Sequence, residues 1–383
     1  MNRLTEAPRS VYIHIPFCAN KCHYCDFNSY VVTGQPVNRY LDALEREMEM
    51  TVTRTPPQTI DTIFVGGGTP TILRPAQLEK FLKAVRTYFP ADPARVEFTM
   101  EANPGTVDAE KLAAMKEGGV NRISFGVQSF DDQLLADIGR IHQAADVFRS
   151  IESAKQAGFT NLSIDLMFGL PRQTIATLND SIDKALALQL EHYSIYGLIL
   201  EEHTLFYTLY QNGKLPLPDE DTEVQMFELI ISRMREAGYT HYEISNFALP
   251  GCESRHNSAY WKNESYYGLG AGAHGYVRGI RHLNVKGVGE YITATEKGLP
   301  VLKRSFVDEQ EAMEDFMMIG LRLLRGIRRD DFFDQFGRLP EDVFGAKIAA
   351  LIARGLLDET DEGYKLSATG LYLGNEVFAE FIS

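Results

Sequence analysis

Apolar and polar positions follow two periods along the first half of the chain. Apolar runs of five to seven residues at 11–15, 59–65, 96–101, 122–128, 162–168 and 192–198 read as strands. Amphipathic stretches at 38–53, 75–88, 108–117, 144–157 and 174–188 lie between them and read as helices. In the first of these, Tyr40, Leu41, Leu44 and Met48 share one face. Strand–helix units in series predict an α/β fold, a parallel sheet with its helices outside. Its connections should be right-handed. Such a sheet curls into a partial (βα)6 barrel, with its chemistry at the C-terminal strand ends.

Polar residues interrupt the strands where that chemistry would sit. Glu101, Gln128 and Asp165 fall in or just after apolar runs. One such residue is as readily a satisfied structural group as a functional one, because a buried polar group needs a partner. Three on successive strands suggest the lining of a shared polar ligand site. Arg140, in Gly139-Arg140-Ile141-His142, is either a cation for a carboxylate or a solvated arginine. The second strand runs into Gly66-Gly67-Gly68-Thr69-Pro70, more glycine than a strand-to-helix turn requires, and glycines there let a ligand approach the backbone.

The second half is less regular. A helix is expected at 219–237 and a strand at 239–247. Then follow His256-Asn257-Ser-Ala-Tyr260-Trp261, with the only tryptophan, and a glycine-rich stretch to His274. A histidine beside large aromatics suits a flat apolar ligand such as haem. The residues alone favour a satisfied histidine in an aromatic mini-core. From about residue 306 the pattern turns helical, at 311–324, 329–336 and 340–354, then a hairpin at 355–366 and a last helix at 369–381. We therefore expect two domains, 1–305 and 306–383, the second resembling a winged helix. Its wing carries Asp358, Glu359, Asp361 and Glu362, which oppose phosphate contact. The basic run Arg322, Arg325, Arg328 and Arg329 reads as a solvated face or an intramolecular contact.

Composition narrows the class. The net charge of −14 argues against a nucleic-acid footprint and against adhesion to anionic membrane. No run of 18 apolar residues and no secretory signal is present, so a cytoplasmic protein with no stable membrane insertion is expected. Of four cysteines, three cluster as C-x3-C-x2-C: Cys18, Cys22 and Cys25. Thiolates favour iron–sulfur clusters, zinc or copper(I). A closed structural zinc site needs four ligands, so three suggest a cubane with one iron open. Zinc completed by His14 or His23 is the competing reading.

The cysteine array resembles the signature of the radical S-adenosylmethionine (SAM) superfamily. Nearly the whole chain resembles its oxygen-independent coproporphyrinogen III oxidase branch, and within that branch the haem chaperone group. The resemblance implies a [4Fe–4S] cluster on Cys18, Cys22 and Cys25, with SAM on the open iron. It places Tyr12, Tyr24, Gly67, Gly68, Thr69, Glu101, Gln128, Arg140 and Asp165 near SAM. Two departures separate the chain from true oxidases. Phe27 stands where they have a fourth cysteine, and only 17 residues precede Cys18 where they carry an extension. The stretch from His256 to Trp261 matches the chaperone group's H-N-x-x-Y-W signature. This implies haem binding by His256, as iron ligand, with Asn257, Tyr260 and Trp261. The expected function is transfer of haem to an acceptor such as a respiratory haem protein. The alternative is radical decarboxylation of coproporphyrinogen III in porphyrin biosynthesis. No catalytic residue is assigned, and a homodimer is compatible with the sequence.

Overall fold

Six parallel strands follow one another across the sheet in chain order: β1 (Ser10–Ile15), β2 (Thr62–Gly67), β3 (Glu97–Ala102), β4 (Arg122–Gln128), β5 (Leu162–Phe168) and β6 (His192–Gly197). They come from a computed structural model that describes residues 7–382. Helices α1 (Val37–Arg54), α2 (Pro75–Tyr88), α3 (Ala109–Glu117), α4 (Ala144–Gln156) and α5 (Ile175–Ala187) connect them. This is the expected α/β architecture, with the strand boundaries within three residues of the hydrophobic runs.

The sheet is wider than the sequence pattern suggested. On the β6 side it continues, after helix α6 (Glu220–Glu236), through β7 (Thr240–Glu243) and β8 (Asn246–Ala248). On the β1 side it gains β9 (Tyr266–Leu269), β10 (His274–Val277), β11 (Ile280–Asn284) and β12 (Val301–Phe306). Strand β9 pairs parallel with β1, and the later strands add antiparallel. The order β12-β11-β10-β9-β1-β2-β3-β4-β5-β6-β8-β7 leaves β12 and β7 as edges, so the barrel is open.

Pleating explains which residues line it. Side chains alternate between the two faces of a strand. Val11, Ile13 and Ile15, with Ile63, Val65, Phe98 and Met100, pack in the large core that also takes in Tyr40, Leu44 and Met48 of α1. The intervening positions are polar: Ser10, Tyr12 and His14 on β1, Glu97, Thr99 and Glu101 on β3, and Ser163 and Asp165 on β5. The buried Glu47 carboxylate of α1 accepts from the Gly270 N–H (2.8 Å), Asn284 Nδ2 (2.6 Å) and the Tyr291 hydroxyl, tying that helix to the added strands.

Two expectations are corrected. The strand expected at 239–247 is a hairpin. The buried Glu243 carboxylate accepts from the Ser245 N–H (3.0 Å) and from Asn246 Nδ2, which turns the chain between β7 and β8. The last helix divides into Ala368–Tyr372 and Gly374–Glu380, with Leu373 non-helical between them. A second core, including Val307, Phe316, Phe332, Phe344, Leu357 and Phe381, holds the C-terminal helices α8 (Glu309–Gly320), α9 (Arg329–Phe336) and α10 (Pro340–Ala353) against a small sheet. That sheet joins the expected hairpin, Leu357–Glu359 and Gly363–Leu366, to Ile327–Arg328.

Candidate metal and cofactor centre

The three cysteines sit on a loop stapled at several points. Phe17–Cys18 pairs in parallel with Tyr30–Val31, which closes the loop at its base. Lys21 Nζ spans it, donating to the Phe27 carbonyl (2.7 Å) and to Ser29 Oγ (3.0 Å). On one flank the His23 N–H donates to the Ile138 carbonyl (3.0 Å), and Asn20 Nδ2 donates to the Gly139 carbonyl (3.0 Å). On the other, Asn28 Nδ2 donates to the Ala271 (2.9 Å) and Lys286 (3.0 Å) carbonyls. Cys18, Cys22 and Cys25 are all free thiols and partly exposed.

A polar chain links two of the sulfurs to the strand ends. The Thr69 hydroxyl donates to Cys18 Sγ (3.7 Å) and accepts from Asn103 Nδ2 (2.8 Å). Asn103 Oδ1 accepts from Arg140 Nη2 (2.7 Å), and Arg140 Nη1 reaches Cys22 Sγ at 3.6 Å. Arg140 also donates to the Gly126 carbonyl. It is therefore no solvated arginine. Burial works against its charge, but the facing Tyr24 and Cys22 groups outweigh burial and raise its pKa. Asn103 was missed in the sequence; its one signal is its place two residues beyond Glu101.

The donor set fits a cluster. Burial raises the Cys18 and Cys25 thiols, while Thr69 and Lys21 act in the opposite direction. Cations beside thiols favour thiolates. His14 is not free to complete a zinc site. The Asn28 carbonyl can only accept, so His14 Nε2 carries the proton (2.9 Å) and His14 Nδ1 accepts from the Tyr12 hydroxyl (2.8 Å). Burial lowers the His14 pKa, consistent with that neutral ring. His23 gives Nδ1 to the Asp137 carbonyl (3.0 Å). Among the described residues, no three His, Cys, Asp or Glu side chains close around a single metal ion. A cubane takes each thiolate on a different iron.

Behind the loop lie two half-buried carboxyl groups. Glu101 accepts from the Gly67 N–H (3.1 Å). Burial, and then the neighbouring Asp165, push its pKa up to about 8. Asp165 accepts from the Ser124 hydroxyl (3.1 Å) and is raised mainly by burial. Gln128 occupies a bulge in β4 at φ 69°, with its amide beside Gly126. The glycines are needed for packing as well. A Cβ on Gly66 would lie 2.7 Å from the Glu101 carboxyl, and one on Gly67 2.2 Å from the His14 ring. One on Gly68 would lie 2.6 Å from the Phe17 carbonyl oxygen. Tyr24 packs on an apolar cluster with Leu134, Met167 and Phe206, and burial raises its phenol. Tyr12, Tyr24, Gly67, Gly68, Thr69, Glu101, Gln128, Arg140 and Asp165 are thus brought to the cysteine end of the barrel.

The His256 motif lies at the other end, where the strands begin. It forms helix α7 (Arg255–Trp261), whose first N–H groups, on Arg255 and His256, donate to the Glu97 carboxylate at 2.9 and 3.0 Å. His256 is 1 % exposed. Its Nδ1 bonds the Thr62 hydroxyl (2.8 Å) and its Nε2 the Tyr260 hydroxyl (2.9 Å). Burial, with Arg122 second, lowers its pKa to about 3. The ring stacks on Phe64 (5.2 Å), which stacks on Tyr12 (6.2 Å), so an aromatic column spans the barrel between the two ends. Asn257 lies in the first turn of the helix and donates its N–H to Ser254 Oγ (3.3 Å). Trp261, half-buried at the end of the helix, has the Arg322 guanidinium 4.5 Å over its ring. The motif therefore holds His256 and Tyr260 together, and neither reaches the cysteine loop.

Comparison with known proteins gives the family. The profile described as the radical SAM superfamily matches residues 12–185, and that of the HemN C-terminal domain matches 307–373. The chain is 48% identical over 98% of its length to the heme chaperone HemW of Bacillus subtilis, spanning 99% of that protein. It is 35% identical to heme chaperone HemW of Escherichia coli, with 98% of each chain covered. The structure of coproporphyrinogen III oxidase HemN from Escherichia coli, a radical SAM enzyme, superposes with a TM-score of 0.86 at 24% identity. That match covers 98% of this chain and 90% of the other. The chain belongs to the HemW family of radical SAM proteins.

Proposed function

We propose that this protein binds haem and hands it to a haem-requiring acceptor protein, with a [4Fe–4S] cluster and SAM at the opposite end of the barrel. The observation that carries the reading is similarity to heme chaperones along the entire chain. Cys18, Cys22 and Cys25 would hold the cluster. Bound there, cluster and SAM supply one-electron reductive chemistry. Arg140 and Lys21 would balance thiolate charge, and Thr69 and Asn103 would fix the Cys18 side of the loop. Glu101 and Asp165 suit the cationic part of SAM, because a positive group between them offsets the burial of both carboxyls. Tyr12, Tyr24, Gly67, Gly68 and Gln128 would shape the remainder of that pocket.

Haem would engage the helix from His256 to Trp261. His256 can ligate iron through Nε2 only when the Tyr260 hydroxyl gives up its bond, so binding would require the Tyr260 side chain to turn away. Phe27, 61 % exposed, supplies no fourth thiol beside the cluster, which favours the chaperone reading over decarboxylation. Among the described residues no helix is long and apolar enough to cross a membrane; we take the protein to work in the cytoplasm.

The test is an anaerobic hemin titration of wild type and His256→Ala, followed in the Soret region. A saturable band at one haem per chain, weakened in the variant, is expected. Absence of saturable binding by wild type would refute the function, and equal binding by the variant would remove His256 as the ligand.

A further inference from the structure

A cavity of about 950 Å³ opens between the N-terminal ends of the strands and the C-terminal helices, at the end away from the cysteines. Its walls come from the chain before β1, from Asp61, from Trp261 at the end of α7 and the residues to 265, from Phe316 and Gly320 of α8, and from residues between 323 and 335. That volume is in the range of sites for cofactor-sized ligands.

The lining is short of hydrogen-bond partners. Trp261 Nε1, Asn263 Nδ2, Ser265 Oγ and Gln335 Nε2 are closed to solvent and have none, whereas Arg328 is ion-paired with Asp330 and Glu362. Asn263 and Gln335 are each only 7 % exposed, and buried polar groups are normally paired. Three of the four atoms are N–H donors. At the rim, Lys262 and Arg325 are exposed, and among the described residues neither has an ion pair. The cavity's acids are largely engaged. Asp61 pairs with Arg9 at 2.5 Å, Glu264 and Asp331 have partners, and Asp334 is exposed. A surplus of donors and two free cations call for an anionic acceptor with several oxygens. Phe316, Leu323, Ile327 and the Trp261 ring add an apolar wall.

We infer that this cavity receives the two carboxylates of haem, a flat apolar ligand with an anionic edge. The inference rests on the proposed function. It also gives Trp261 a role distinct from that of His256: one end of α7 is sealed inside the barrel, and the other forms a wall of the cavity. Among the described residues the lining has no histidine, cysteine, methionine or tyrosine. The cavity therefore grips the carboxylates and leaves iron ligation to another group. Because it lies at the far end from the cysteines, haem capture does not require the cluster.

The experiment compares hemin with hemin dimethyl ester, titrated anaerobically into wild type, Lys262→Glu, Arg325→Glu and Gln335→Leu, each checked for unchanged thermal unfolding. Hemin should bind about tenfold more weakly to each variant, the loss of about one charge-assisted contact. The ester should bind wild type more weakly than hemin does and should not distinguish the variants. Saturable hemin binding that ignores all three substitutions, as when the cavity serves a free dicarboxylate or phosphate, overturns this inference and leaves the proposed function standing. Loss of saturable binding in wild type overturns both.

Discussion

Glu101→Gln isolates the charge on which the cofactor end of the barrel depends. Burial and Asp165 raise the Glu101 carboxyl from an ordinary 4.5 to about 8. Each unit corresponds to about 1.4 kcal/mol, so forcing the empty, folded barrel to carry this charge costs about 5 kcal/mol. The sign follows from the raised value. Below about pH 4.5 the carboxyl is neutral in both folded and unfolded chains, and its full stability contribution is present. As pH rises toward 8 the unfolded chain ionises first, and stability is lost. A glutamine keeps an acceptor for the Gly67 N–H and has no charge to bury. The two proteins should thus unfold alike near pH 4.5, and the variant should be more stable by about 3 kcal/mol at pH 7. Urea unfolding of cluster-free protein at several pH values, followed by the single Trp261, reads this difference. Comparison with wild type cancels Glu47, which burial raises to about 7 and which titrates in the same window. A difference that stays constant from pH 5 to 8.5 would show that Glu101 is not a buried, raised carboxyl, and the electrostatic account of the pocket would fail.

Gly67→Ala should destabilise the barrel by about 3 kcal/mol or more, because φ is +101° and the added methyl meets the His14 ring; an unchanged urea midpoint contradicts this. Asn103→Ala leaves all three thiols in place but cuts the link between Thr69 and Arg140. Iron and sulfide per chain after reconstitution should fall below wild type, and equal loading would show that the link is dispensable. Arg329→Ala removes ion pairs to Glu341 and Glu359 and a cation over Tyr364 at 4.6 Å. The 357–366 hairpin should lose about 2 kcal/mol of protection in hydrogen exchange, and unaltered exchange argues against that role.

The hydrophobic runs placed β4 and β5 and helix α2 to the residue, because burial on the helix-facing side imposes a strong local period. The cysteine spacing and the polar residues at 101, 128 and 165 were legible for the same reason: each breaks an apolar pattern. What was not legible depends on distant partners. Glu97 looks like an ordinary strand residue until a helix 158 residues later places its first N–H groups on it. Strands β9 to β12 are short, the first two broken by glycine, and only the pairing of β9 with β1 and of each later strand with its neighbour makes them part of the sheet. The turn at 244–245 depends on the Glu243 side chain bonding to its own backbone neighbours, which a run of alternating residues conceals. His256 illustrates a different limit. The residues alone read it as a satisfied histidine in an aromatic mini-core, and both ring nitrogens are bonded; that Thr62 and Tyr260 supply the bonds was not legible.

The central claim is that this radical SAM protein carries haem rather than makes its precursor. The direct measurement gives cluster-reconstituted protein reductant, SAM and coproporphyrinogen III, and in parallel mixes haem-loaded protein with a haem-free acceptor protein. Haem should move to the acceptor, and no CO2 should be released from the porphyrinogen. SAM-dependent CO2 release, with haem left in place, would contradict the claim.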